Sequence, residues 1–314
     1  MEKRNLGKSG LSVSLVGLGC NNFGPRIDRD QSRSVVHKAL DAGITLFDTA
    51  DGYGRGTSEE FLGDALGPRR KDVVIATKFG FPMSDDGRLK GASRRYIMNA
   101  VEDSLRRLNT DWIDLYQLHT YDPLTPIEET LRTLDDLVRQ GKVRYIGCSN
   151  LSPWRVVEAQ WTARVGSYSS FVSCQDEYSL VTRDIETEMT SAMESYGMGL
   201  LPYYPLAAGI LTGKYKRNAP MPEGARLTNN EKAARRYVTE ANLILAEKLE
   251  AFAKARDHTL VELAFSWLAS RPVVSSIIAG ATKPEQVEQN VASAGWKLSA
   301  DDLAEINRIL SGGD

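Results

Sequence analysis

Leu15-Val16-Gly17-Leu18-Gly19, a polar loop, an amphipathic run over 31–42 closed by Gly43, and then Ile44-Thr45-Leu46-Phe47-Asp48 read as strand, helix and strand. This stretch decides the fold because the same unit recurs along the chain. Further apolar strand candidates lie at 73–78, 113–119, 145–149, 171–175, 199–203 and 274–278. Most strand ends follow one another at the roughly 30 residues of one βα unit. The last gap is more than twice as long, so it must hold an insertion, at about 207–236. Its Lys214-Tyr215-Lys216-Arg217 and Pro/Gly-rich 219–226 have the composition of a mobile loop. Eight parallel strands with intervening helices and no composition break predict an α/β fold, a single (β/α)8 TIM barrel over residues 1–314, rather than an open doubly wound sheet.

Outward from that core, 4–6 and 13–15 flank the turn-forming Gly7-Lys8-Ser9-Gly10 and predict a hairpin lidding one end of the barrel. Helix starts are expected at Thr57 with Glu60, at Thr125-Pro126 with Glu128, at Ser152-Pro153 and at Ser299 with Asp302. Two helices are predicted at 240–255 and 260–270, before the eighth strand, and a tail helix at 300–310.

The 314 residues are 42% hydrophobic and 25% charged, with a formal net charge of −2, the composition of an ordinary soluble protein. Such a balance offers no broad field for nucleic acid or an anionic membrane, so any phosphate site must be built locally. The first residues lack the apolar core of a secretory signal and no run reaches the length of a membrane span, so a cytoplasmic protein is expected. Cys20, Cys148 and Cys174 lack metal-ligand spacing and read as buried, reduced thiols; no metal site is expected.

In barrels of this kind the reactive groups gather at the C-terminal ends of the strands. That rule brings together Asp48, Lys78, His119, Ser149, Asn150, Gln175 and Tyr203, with Tyr53 five residues beyond Asp48. Singly, each has a plainer reading as a buried ion pair or a packed core residue. Together they suit one task, because a phenol near an ammonium and an imidazole can have its pKa lowered toward working pH. The pair Gly17-Leu18-Gly19 is not a dinucleotide fingerprint, since Asn22 stands where the third glycine belongs.

These motifs, with Gly147-Cys148-Ser149-Asn150, Pro205-Leu206-Ala207-Ala208-Gly209-Ile210-Leu211-Thr212-Gly213-Lys214 and the 280–290 segment from Gly280 to Asn290, resemble the aldo-keto reductases over nearly the whole chain. The resemblance implies an NAD(P)H-dependent carbonyl reductase. It makes Tyr53 the general acid, gives Asp48 and Lys78 the tuning of its pKa, and has His119 orient the substrate carbonyl. By the same resemblance, Ser149, Asn150 and Gln175 hold the nicotinamide carboxamide and Tyr203 stacks on the ring. Cys20, Asn21 and Asp48 adjoin the cofactor, and Tyr204, Pro205, Leu206, Ala207, Gly209, Leu211, Lys214 and Arg226 follow its pyrophosphate. Gly280, Thr282, Lys283, Gln286, Gln289 and Asn290 receive the adenosine end, where Thr282 and Lys283 favour NADPH and NADH is the alternative. Gln286 and Gln289 replace the arginine and glutamate of many family members. Cys20-Asn21-Asn22-Phe23 replaces a frequent threonine-tryptophan pair, and Phe23, Tyr53, His119 and Tyr121 are expected around the substrate.

A small carbonyl compound is the expected partner, without nucleic acid or membrane, and the oligomeric state is open. Two other readings compete. The pattern also resembles the potassium-channel β subunits, cofactor-binding regulatory barrels that commonly carry asparagine where His119 stands. A Schiff-base lysine at Lys78 is the third, but the charge of a neighbouring Asp48 argues against it.

Overall fold

The computed structural model describes residues 1–312. Eight parallel strands form one curled sheet: β3 (Val16–Gly19), β4 (Leu46–Asp48), β5 (Val74–Phe79), β6 (Ile113–Leu118), β7 (Val143–Ser149), β8 (Phe171–Gln175), β9 (Gly199–Leu200) and β10 (Ile277–Gly280). The hairpin strands β1 (Lys3–Asn5) and β2 (Ser12–Ser14), three residues each, precede them. The sheet order runs β10-β3-β4-β5-β6-β7-β8-β9 with every neighbour parallel. Its ends meet through Leu200 N to Val273 O at 2.7 Å, Ser275 N to Leu200 O at 2.9 Å and Ile278 N to Pro202 O at 3.0 Å. The result is the expected (β/α)8 barrel.

Helices α1 (Arg29–Asp41), α2 (Thr57–Leu66), α3 (Arg94–Leu108), α4 (Ile127–Arg139), α5 (Pro153–Gly166) and α6 (Met189–Tyr196) alternate with the strands and bury one apolar face each against the sheet. After β9 come α7 (Glu231–Tyr237), α8 (Glu240–Lys254) and α9 (Leu260–Ala269), then α10 (Pro284–Ser293) and α11 (Ala300–Leu310) after β10. Reciprocal capping boxes start α1 at Asp28 with Gln31, α9 at Thr259 with Glu262 and α11 at Ser299 with Asp302. Only the last was expected as such. Thr57 caps nothing: its hydroxyl donates to Gly54 O at 2.8 Å, and α2 starts from Gly56. Thr125 donates to Asp122 instead, and Ser152 precedes α5 without a side-chain bond, so in both places Pro at the entry sets the start.

The strand bounds also shift for local reasons. β4 begins at Leu46 because Thr45 exchanges two 2.9 Å hydrogen bonds with the Ser14 side chain and backbone. β9 stops at Leu200 because Pro202 has no N–H for the ladder, and Tyr203 pairs only as an isolated bridge with Glu177, two residues past the end of β8. The hairpin closes the barrel floor. Leu6 and Val13 pack with Leu46, Ala76, Leu115, Leu201 and Ile278, and Arg4 donates to Val274 O and Ala269 O. At the tip, a Cβ on Gly7 would lie 2.4 Å from Gly197 O, so only glycine fits that approach. All three cysteines are buried and free. Among the described residues, no helix is long and apolar enough to cross a membrane.

Candidate active site

At the C-terminal ends of the strands lies a cleft of about 740 Å³, walled on one side by the segment after β9. Asp48 ends β4 and Lys78 stands one residue before the end of β5, so both side chains enter the barrel top, fully buried. All three donors of the ammonium are used: 2.8 Å to Asp48 Oδ2, 2.7 Å to Thr49 O and 3.4 Å to the Tyr53 hydroxyl. Burial alone would depress Lys78, but the Asp48 carboxylate keeps it above its usual range. Gln175 Nε2 donates to Asp48 Oδ1 at 2.7 Å and Gln117 Nε2 does so at 3.5 Å. Asp48 is thereby held on both oxygens.

Tyr53 starts a turn in which Gly54, Arg55 and Gly56 all take positive φ, which aims the phenol back toward the cleft. The expected lowering of its pKa is not what the surroundings produce. Burial pushes the phenol up, the Lys78 ammonium pulls it down and Asp48 opposes Lys78, so Tyr53 sits above its ordinary range. A neutral phenol holds its proton until a better acceptor is near. His119 follows β6 and meets the Tyr53 ring edge-on at 5.8 Å, with Phe81 at 4.2 Å. Burial and then Lys78 drive the imidazole down to about 2, so it is neutral, and its Nδ1 has no partner.

Asn150 adopts a left-handed conformation, φ 56°, at the end of β7. There its amide nitrogen donates to His119 O at 3.1 Å and to the Ser149 hydroxyl at 2.9 Å, and its oxygen accepts from the Tyr203 hydroxyl at 2.8 Å. Of the remaining expected residues, Asn21, Tyr204, Pro205, Leu206, Gly209, Lys214, Arg226, Gly280, Thr282, Gln286, Gln289 and Asn290 line the same cleft. The structure does not bring all of them there. Cys20, Ala207 and Leu211 are buried behind the wall, Lys283 stands outside it, Phe23 is fully buried in the core, and Tyr121 lies under the Arg155 guanidinium at 3.8 Å.

Other lining residues escaped the sequence reading. Phe81 lies on the loop after β5, whose length hides it. Glu177 and Arg236 pair at 2.6 Å across the cleft, and Tyr237 donates to the same carboxylate at 2.5 Å, fastening the segment after β9 to the loop after β8. Arg26 lies on the loop after β3, on the opposite wall from Lys214 and Arg226. Among the described residues Arg226 donates only to the Tyr204 hydroxyl, at 3.0 Å, and Lys214 is held below its usual range by burial and by repulsion from Arg26 and Arg226.

Three cations thus line one cleft, and among the described residues none of them is paired with a carboxylate, a charge balance complementary to an anion. Small residues leave room beside it: a Cβ on Gly280 would meet Asn22 Nδ2 at 3.1 Å and Asn21 Oδ1 at 3.4 Å. Lys78, Asp48, Tyr53 and His119 thus lie together at the barrel top, and Arg26, Lys214 and Arg226 line the same cleft. Among known proteins, the aldo/keto reductase family model matches residues 15–311, and the chain belongs to that family. A probable voltage-gated potassium channel subunit beta of Arabidopsis thaliana is 38% identical over 93% of this chain and 90% of its own. The L-glyceraldehyde 3-phosphate reductase of Escherichia coli K12 is 32% identical over 100% and 94%, and the aldo-keto reductase YhdN of Bacillus subtilis is 35% identical over 99% and 94%. Family and oxidoreductase relatives together support carbonyl reduction as the general activity.

Proposed function

We propose that this protein reduces an aldehyde or ketone to an alcohol with NADPH, Tyr53 supplying the proton. The observation that carries the reading is the contact between Lys78 and the Tyr53 hydroxyl in a pocket where the phenol keeps its proton. When bound, the reduced nicotinamide supplies the hydride. As negative charge grows on the carbonyl oxygen, Tyr53 gives up its proton and Lys78 stabilises the phenolate left behind. Asp48 keeps that lysine charged and, through Gln175 and Gln117, keeps it in place. His119, neutral and with one N–H, aims the carbonyl without competing as a proton source.

Ser149, Asn150 and Gln175 would hold the carboxamide and Tyr203 the ring face. Arg26, Lys214 and Arg226 would grip the diphosphate from both walls, and Thr282, Gln286, Gln289 and Asn290 would take the adenosine end. That His119 stands in the site, rather than asparagine, favours turnover over a purely regulatory cofactor-binding role. Purified protein mixed with NADPH and a panel of small aldehydes should show substrate-dependent loss of cofactor absorbance, faster than with NADH. Cofactor binding without any such loss would return the regulatory reading to the front.

A further inference from the structure

Behind Tyr53, outside the lining of the cleft, is a second group of buried polar side chains that the reaction above does not use. Asp51 is 1% exposed, Glu59 and Tyr116 are fully buried, and Tyr96 and Arg107 of α3 close the group. Arg107 is its only cation, and it is committed: Arg107 Nε donates to Glu59 Oε2 at 2.7 Å while the Thr77 hydroxyl donates to Oε1 at 2.6 Å. Asp51 is left with the Tyr96 hydroxyl at 3.2 Å and the adjacent Gly52 amide. Its Oδ1 has no partner, and neither has the Tyr116 hydroxyl.

An ionised Asp51 would therefore bury an unsatisfied carboxylate oxygen next to the Glu59 anion, a costly arrangement that a proton on Asp51 removes. The backbone ties this carboxyl to catalysis. Asp51 N donates to Lys78 O at 3.1 Å and Tyr53 N to Ala50 O at 3.2 Å, so the segment that carries Tyr53 hangs from Asp51 and β5. We propose that Asp51 is a positioning residue: protonated, it lets the 49–54 segment stay buried against α3 and β5 so that the Tyr53 hydroxyl stays within reach of Lys78, whereas ionisation places an unpartnered charged oxygen beside Glu59 and drives the segment toward water.

Burial, with repulsion from Glu59, raises Asp51 to about 7, whereas Tyr53 lies above its ordinary range and His119 near 2. Burial also raises Asp176, which accepts from Asn150 N at 3.0 Å, so the Asp51 variants, and not the wild-type profile by itself, assign a step in kcat near neutrality to Asp51. The inference rests on Tyr53 being the proton donor, and the experiment separates the two. With saturating NADPH and an uncharged aldehyde, kcat measured from pH 5.5 to 9 should fall about tenfold across one step near pH 7, with KM little changed. Asp51→Ala should be slow throughout. Asp51→Asn, which imitates the protonated form, should restore the low-pH rate and abolish the step. Tyr96→Phe should move the step to higher pH, because the Tyr96 hydroxyl favours the ionised carboxyl.

A wild-type profile flat across this range, or a step unmoved in both Asp51→Asn and Tyr96→Phe, would overturn the proposal. If Tyr53→Phe keeps full turnover, the donor assignment fails instead. NADPH affinity, unchanged in each variant, reports that the barrel is intact.

Discussion

The Lys78 ammonium lies 2.8 Å from Asp48 and 3.4 Å from the Tyr53 hydroxyl, at the end of a strand with no solvent exposure. That one geometry makes the lysine both a structural charge and the neighbour of the proposed proton donor. Removing either member of such a pair strands the other in a dry interior, which costs about 3–5 kcal/mol, whereas removing both can be nearly neutral. Lys78→Met and Asp48→Asn should each lower unfolding free energy markedly, and the double variant should lose less than the sum. Denaturant titration of the four proteins checks this, and strict additivity would mean the pair is not energetically coupled.

If Tyr53 is the donor as proposed, replacing it by Phe takes away the proton and little else. Turnover should fall by about 10²–10⁴-fold, while NADPH affinity stays within about twofold because Arg26, Lys214 and Arg226 are untouched. Stopped-flow turnover together with fluorescence titration of the cofactor separates the two quantities.

Burial, and then repulsion from Arg26 and Arg226, depress Lys214, so the three charges are close enough to share one anion. Neutralising Arg26 should weaken NADPH binding about five- to tenfold and flatten its dependence on ionic strength. Calorimetry at two salt concentrations measures both, and an Arg26→Ala protein with wild-type affinity would remove that residue from the grip.

Asp51 also links pH to stability. Its folded value, about 7, lies above the ordinary 3.8, so its contribution is fully present below the unfolded value and is lost as pH rises through the folded one. A gap of that size corresponds to at most about 4 kcal/mol. Asp51→Asn should therefore gain melting temperature relative to wild type between pH 6 and 8.5 and match it near pH 4. A difference that does not grow with pH would show that Asp51 is already ionised at low pH.

The barrel was readable because repeated βα units leave local marks. Apolar runs of strand length, capping pairs such as Ser299 with Asp302 and the punctuating Gly43 are properties of neighbouring residues. So, too, Asp48, Lys78, His119, Asn150 and Gln175 could be gathered in advance, since the strand-end rule converts position along the chain into position in space. What failed to follow was anything depending on partners far away. Thr57 carries a capping pattern yet turns back to Gly54, and Phe23, next to the catalytic end of the first barrel strand, packs inward.

By itself, then, the chain order determined the eight-stranded barrel, its hairpin floor and the identity of the strand-end groups, because hydrophobic periodicity and turn chemistry act over a few residues. Only the tertiary structure decided the protonation of those groups and their company. Burial raises Tyr53 where proximity to a lysine and an imidazole suggested lowering, Arg26 comes near enough to repel Lys214, and Asp51, two residues from Tyr53, has no ion-pair partner because Arg107 bonds to Glu59. Desolvation and charge pairing are sums over everything within several ångströms, and that neighbourhood exists only once the barrel has closed.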